Sequence, residues 1–232
     1  MKVALVTGAS HGIGAGVATA FRGAGYAVVG TARSIHPPDD DDVLAVEGDI
    51  AEAETAERVV TQAIRRFGRI DTLVNNAGVY IGKPFTDYTL EDYALITGVN
   101  LAGFFHITQR AIRQMVAQGG GHVVNITTTL VDHASSESPS ALASLTKGGL
   151  DAVTRSLATE FASHGVRVNA VALGVVKTPE HASSEYDGMA ALHPIGRVGE
   201  VRDVADAILY LDRATFVTGE TMHVDGGRAA GH

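Results

Sequence analysis

The residues best placed to do chemistry begin at position 7. Thr7-Gly8-Ala9-Ser10-His11-Gly12-Ile13-Gly14 follows the short apolar run Val3–Val6 and leads into a stretch that can carry a helix, Gly12–Gly25. A buried strand, a glycine-rich turn and a helix together make an anion site. The glycines allow positive φ and a close backbone approach to a pyrophosphate. The first helical turn adds unpaired N–H groups and the positive end of its dipole. Three glycines alone are a weak signal; directly after a buried strand they are a strong one. A dinucleotide is the expected ligand, held by Gly8, Ser10, His11, Gly12, Ile13 and Gly14.

The end of the second apolar run, Ala27–Thr31, decides which dinucleotide. A carboxylate there would bind the adenosine ribose 2′-hydroxyl and repel a 2′-phosphate. This sequence has Ala32 and then Arg33. Arginine pairs well with phosphate, so NADP (NADPH) is expected over NAD. The plainer reading of Arg33 is a surface arginine. Asp39–Asp42 follow closely, and as a block of like charge they are expected to be solvated. Folded back, they would disfavour a phosphate.

The elements that position these residues alternate in kind. Apolar runs of strand length are Val3–Val6, Ala27–Thr31, Val43–Val46, Leu73–Val74, His122–Ile126, Val166–Ala172 and Glu220–Val224. Helical spacing marks Gly12–Gly25, Ala51–Phe67, Leu90–Ala117, Ser144–Ser163 and Val201–Leu211. Alternation of this kind predicts an α/β fold: a Rossmann-type, doubly wound parallel sheet of about seven strands with helices on both faces. The cofactor is expected across the carboxyl ends of the strands. One link is too short for its helix. Only Ser34 to Asp42 separate Arg33 from Val43, with Pro37, Pro38 and four aspartates among them. A crossover containing a helix needs about 10–12 residues, so this helix is expected to be missing or cut to a turn.

Composition narrows the field. The chain has 232 residues, 45% of them hydrophobic, which suits one domain with a sizeable core spanning 1–232. Eighteen Lys and Arg against 26 Asp and Glu give a formal charge of −8, the reverse of a duplex binder. No cysteine is present, which excludes disulfides and thiolate metal sites. The histidines lack metal-ligand spacing, so no metal is expected. No apolar run approaches the roughly 18 residues that span a bilayer, and Gly8 interrupts the first run too early for a signal peptide. A soluble, cytoplasmic protein with a small-molecule substrate, no nucleic acid and no membrane partner is the expectation.

Together these motifs resemble the short-chain dehydrogenase/reductase family, over nearly the whole chain. Thr7–Gly14 is similar to its cofactor loop, and Asp49-Ile50 to its adenine-contacting acid and neighbour. Asn75-Asn76-Ala77-Gly78 is similar to its fourth-strand signature, and Asn100 in Gly98-Val99-Asn100-Leu101-Ala102-Gly103 to its helix asparagine. Lys147 lies in a stretch like the family's catalytic helix. Val168–Val171 and Thr178 resemble the segment that holds the nicotinamide carboxamide, and Val224–Gly227 the C-terminal signature. The resemblance implies hydride transfer between nicotinamide and a carbonyl or alcohol carbon. It also implies a homo-oligomer, tetramer or dimer, built partly from the helices at Leu90–Ala117 and Ser144–Ser163. Carried over position by position, Gly8, Ser10, His11, Gly12, Ile13, Gly14, Arg33, Asp49, Ile50, Asn76, Ala77, Gly78, Lys147, Gly174, Val176 and Thr178 would bind cofactor.

The family's proton relay uses Asn, Ser, Tyr and Lys, and here it is incomplete. The tyrosine stands four residues before the lysine in the family; here that position is Ala143, and no tyrosine lies between Tyr93 and Tyr186. The family serine follows the fifth strand; Asn125-Ile126 is here followed by Thr127, Thr128 and Thr129, and Thr128 keeps a hydroxyl at the matching place. Leu173-Gly174 replaces the usual Pro-Gly, and His11 stands where NADP-using relatives often carry Arg. The expected catalytic set is Asn100, Thr128 and Lys147. Each also has a plainer reading: a helix-bend asparagine, a strand-end threonine and a ribose-binding lysine. Ala143 is expected to leave a gap of roughly phenol size beside the nicotinamide. Asp132, His133 and Glu137 form a second acid/base candidate, with solvated loop residues as the alternative. Two functions stand: an oxidoreductase with an atypical relay, or a cofactor-binding protein without redox turnover, such as a sensor, partner subunit or scaffold. Pro179–Leu192 falls where the family places its substrate loop and, with Glu180, His181, Glu185, Tyr186 and Met189, defines no substrate.

Overall fold

The computed structural model describes residues 1–36, 39–136, 138–178, 186 and 188–231. Seven strands form one parallel sheet: β1 (Val3–Thr7), β2 (Ala27–Ala32), β3 (Val43–Glu47), β4 (Thr72–Asn75), β5 (Gly121–Thr128), β6 (Val166–Leu173) and β9 (Thr221–Val224), in the order β3-β2-β1-β4-β5-β6-β9. A separate two-stranded pair joins β7 (Val176–Lys177) to β8 (Gly199–Glu200). The order reverses between β1 and β4, so the chain leaves their carboxyl ends in opposite directions and opens a crevice there.

Alternation along β1 shows how the sheet is covered. Val3 and Leu5 enter the core beneath α2 (Ala53–Phe67), α4 (Phe104–Ala117) and α5 (Ala141–Phe161). Ala4 and Val6 enter the opposite core beneath α1 (Gly12–Gly23) and α6 (Val201–Arg213). Every β1 residue is buried, as a strand covered on both faces requires. The outer face of α4 and α5 is also apolar. Phe104, Ile112, Val116, Val153 and Leu157 line an open groove of about 570 Å³, and Phe105 is 56% exposed beside it.

The helical stretch expected over Leu90–Ala117 is continuous but not uniform. α3 (Leu90–Thr97) runs into one wider π turn, Gly98–Gly103, before α4 begins. Between β2 and β3 the described residues contain no helix, as the short link predicts. Ile35 packs on the α1-side core in its place. The acidic run is not simply solvated. Arg22, in the last turn of α1, donates to Asp40 at 2.8 Å and to Asp42 at 2.7 Å. Arg66 donates to the Asp41 carbonyl at 2.6 Å. The basic end of α1 attracts the carboxylates that follow β2, so the run is pinned to the fold and folds toward α1.

A buried polar cluster lies at the opposite end of the sheet from the crevice. The Asp212 carboxylate accepts the Tyr26 and Thr72 hydroxyls, each at 2.5 Å. His122 Nδ1 lies 3.6 Å from it, and Asn169 Nδ2 lies 3.1 Å from His122 Nε2. Arg167 ties the end of α6 down by donating to the carbonyls of Leu211 and Asp212 at 2.8 and 2.9 Å. Burial alone would raise the Asp212 pKa; the groups gathered around it, His122, Thr72 and Tyr26, outweigh burial and hold it well below the ordinary carboxylate range. Burial lowers His122. Both shifts act in one direction: the unfolded chain takes up protons that the native cluster refuses, so stability falls as pH drops through the ordinary histidine and carboxylate ranges. Asp212→Asn sets an amide N–H₂ against two hydroxyl donors. It is expected to cost about 2–4 kcal/mol and to flatten the acid limb of stability, read by urea melts between pH 7 and pH 4.

Candidate active site

The phosphate turn is shaped by what it cannot hold. Gly8 has φ +67°, and a Cβ on Gly14 would fall 2.1 Å from the Gly8 carbonyl oxygen. The turn therefore closes tightly over the start of α1, with the exposed Ser10 and His11 on the cleft side. Its position is fixed from β4. Thr7 Oγ1 accepts from the N–H groups of Asn76 and Ala77 at 3.1 and 3.0 Å. Asn76 Nδ2 donates back to the carbonyls of Thr7 and Gly8 at 2.9 and 3.2 Å.

From this turn a cleft of about 660 Å³ runs across the carboxyl ends of the strands. Gly8, Ser10, His11, Gly12, Ile13, Gly14, Arg33, Asp49, Ile50, Asn76, Ala77, Gly78 and Thr178, all anticipated, line it. The size suits a ligand larger than a mononucleotide. Glycine at the pyrophosphate end and no carboxylate beside Arg33 fit a nicotinamide dinucleotide. Arg33 is exposed, with Ser34 next to it on the cleft wall. Asp49 is the acid further along that wall; its Oδ1 accepts the Ala51 N–H at 2.9 Å. Gly174 and Val176 do not line this cleft. Gly174 is pinned at β9 by donating to the Val224 carbonyl at 3.1 Å, and Val176 packs on the α1-side core.

Lys147 does not itself line this cleft but lies behind Gly78, which does. Its ammonium donates to the Ile126 carbonyl at 2.8 Å, and a Cβ on Gly78 would lie 3.1 Å from Nζ. Burial pushes the Lys147 pKa down to about 8. The three threonines at the end of β5 divide clearly. Thr127 and Thr129 are buried and donate to β6 carbonyls, Val171 at 3.4 Å and Leu173 at 3.2 Å. Thr128 is part-exposed and accepts from the Leu130 N–H at 3.3 Å, which leaves its own proton to give.

Asn100 sits in the π turn and is 1% exposed. Its Oδ1 accepts the Val79 N–H at 2.8 Å, and its Nδ2 donates to the Val79 carbonyl at 3.0 Å and to Thr146 Oγ1 at 3.1 Å. Its amide hydrogens are both used within the fold, so Asn100 ties the β4 loop to α5. Ala143 is 3% exposed. The methyl group of Ala143 is therefore covered by its neighbours. In the second acid/base candidate, Asp132 is engaged by His223 at 3.0 Å, His133 is part-exposed in the loop, and Glu137 lies outside the described residues. Of the substrate-loop residues, Glu180, His181 and Glu185 also lie outside them. Tyr186 is described, and its hydroxyl accepts the Thr178 N–H at 3.0 Å. Thr7, which opens the glycine motif, is the residue that fixes the turn to β4. Val99 and Thr146 also belong to this site and were not singled out from the sequence.

A family model described as enoyl-(acyl carrier protein) reductase matches residues 8–229. The chain belongs to the short-chain dehydrogenase/reductase family. It is 34% identical to the 3-oxoacyl-[acyl-carrier-protein] reductase of Synechocystis sp., over 97% of this chain and 95% or more of that protein (96%). Among solved structures, ElxO with NADP bound superposes with a TM-score of 0.91 at 28% identity, covering 99% of each chain. The 3-ketoacyl-(acyl-carrier-protein) reductase of Brucella melitensis complexed with NADH does so with 0.89 at 30% identity, covering 98% of each. The chain is thus an oxidoreductase of this family with a nicotinamide cofactor site, and among the described residues no helix is long and apolar enough to cross a membrane.

Ala143 is buried, so Ala143→Tyr adds a phenol at a covered position and is expected to push neighbours aside. Overpacking of this kind costs about 1–3 kcal/mol. The variant is expected to melt several degrees below the wild type in a calorimetric scan, whatever it does to turnover.

Proposed function

We propose that this chain is an NADP(H)-dependent reductase of carbonyl compounds whose proton relay runs through Lys147 and Thr128 without a phenol at position 143. The observation that carries the reading is a part-buried ammonium beside Gly78 that grips the Ile126 carbonyl of β5, together with the Thr128 hydroxyl at the end of the same strand, whose proton has no acceptor among the described residues. When bound, the nicotinamide supplies a hydride to a carbonyl carbon or takes one from an alcohol carbon. The chain must do the rest. Thr128 donates to the substrate oxygen and fixes its direction. The Lys147 ammonium places positive charge where that oxygen becomes negative and is the acid that refills the relay. Asn100 acts one step back, by holding the Val79 main chain and Thr146 on either side of Lys147. A positioned general acid is worth about 10²–10⁴-fold, so turnover slower than that of a complete relay is expected.

NADP(H) is favoured by the charges at the adenosine end. Arg33 is exposed on the cleft wall and, among the described residues, no carboxylate pairs with it. Asp40 and Asp42, which could have repelled a phosphate, are engaged by Arg22. Replacing Arg33 with Ala is expected to weaken NADPH binding roughly tenfold or more and to leave NADH binding nearly unchanged. Coenzyme fluorescence titrations read both. Equal loss for the two coenzymes would overturn the assignment.

The relay has a pH signature. A lysine with pKa near 8 is charged at neutral pH and loses its proton above about 8. Reduction, followed as NADPH oxidation with a panel of small carbonyls, should therefore be level near pH 7 and decline tenfold per unit well above pH 8. Coenzyme binding with no oxidation by any carbonyl would defeat the reductase reading. A level profile to pH 10 would defeat the role of Lys147.

A further inference from the structure

The loop after β4 carries a phenol that the relay leaves unused. Its main chain is anchored on both sides of Tyr80. Asn100 grips both backbone groups of Val79 at 2.8 and 3.0 Å, and the Tyr88 hydroxyl donates to the Ile81 carbonyl at 2.7 Å. The Tyr80 ring lies over Gly82, where a Cβ would fall 2.7 Å from the phenol oxygen. A side chain at 82 would displace the ring, so the glycine gives the phenol its place. The Tyr80 oxygen then meets Ser138 Oγ at 3.3 Å.

That contact joins two walls. Tyr80 is two residues beyond Gly78, the residue beside Lys147 Nζ. Ser138 lies in the segment leading into α5, the helix that carries Lys147. The same two walls are joined further in by the bond from Asn100 to Thr146 at 3.1 Å. Tyr80 is 54% exposed, so its hydroxyl is open to an arriving molecule. Two hydroxyls in contact use one proton between them and keep another proton and several lone pairs to offer.

We propose that Tyr80 and Ser138 form a two-hydroxyl clamp at the substrate mouth, which recognises a second oxygen on the substrate and turns its reacting carbonyl toward Lys147. They are specificity-determining residues. The substrate class they select is a carbonyl compound bearing another oxygen function, in preference to a plain ketone of similar size. A site built to hydrogen-bond an oxygen discriminates strongly against an analogue that lacks it, because its own polar groups are left unpaired. The inference rests on the carbonyl-reductase reading for what counts as substrate.

The test uses the whole protein saturated with NADP⁺, so that no reduction occurs during the measurement. Binding of ethyl 3-oxobutanoate and of 2-hexanone is followed by ligand-observed NMR titration in the wild type, Tyr80→Phe and Ser138→Ala. The wild type is expected to prefer the ester by about tenfold. Each variant should reduce that preference at least threefold, with its affinity for 2-hexanone unchanged and its melting temperature preserved. The clamp is overturned if neither compound binds, if the wild type shows no preference, or if Tyr80→Phe and Ser138→Ala keep the wild-type ratio. NADPH oxidation by the same ester separates the two readings. Clamped binding without oxidation leaves the clamp standing and removes the reductase; oxidation with an unaltered ratio in the variants does the reverse, and there Tyr80→Phe should show no rise in KM.

Discussion

One amide side chain holds the two halves of the site in register. Asn100 occupies both main-chain polar groups of Val79 and also reaches Thr146 on α5. It can do so because the helix widens to a π turn at Gly98–Gly103 and turns the residue inward. Without that link, the strand-end loop that follows Gly78 would lose its buried hydrogen bond to the helix that carries Lys147. A buried amide whose hydrogens all have partners is costly to disturb, since any one lost bond leaves a desolvated group behind. The precision of the cleft's far end therefore rests on a residue that need not meet the substrate at all.

The near end is built on the same logic with different atoms. Asn76, at the end of β4, donates twice to Thr7, at the end of β1, and so joins the two strands where the sheet order reverses. The glycine turn is thus stretched between neighbouring strands, and inward space is missing at Gly14. Backbone rigidity replaces side-chain chemistry at this end. Charge enters only at the rim, through Arg33 and Asp49.

Much of this could be read from residue types. The Val3–Val6 run and the glycines after it specify a buried strand and an anion turn by local rules, and both are found. The missing helix after β2 followed from counting residues. Features decided by distant partners were not legible. The π turn depends on bonds between positions 79 and 100, and nothing in Gly98–Gly103 itself announces them. The aspartates after Pro38 read as solvated because their partner, Arg22, lies on another element. The burial of Ala143 could not be seen, because a methyl group in a sequence does not say what covers it. The cluster around Asp212 draws on the residue before β2 and on β4, β5, β6 and α6, so only the assembled sheet reveals it.

The short link between β2 and β3 has a thermodynamic consequence. β3 is the outermost strand, bonded on one side only, and three of its five residues from Val43 to Ala45 are part-exposed. An edge so thinly shielded is where fraying should require least free energy. Yet its neighbour β2 delivers Arg33 and Ser34 to the wall of the cleft, and β3 leads directly to Asp49. A dinucleotide seated across both strand ends would act as a brace, so occupancy and edge integrity would be coupled, each raising the other by the same factor.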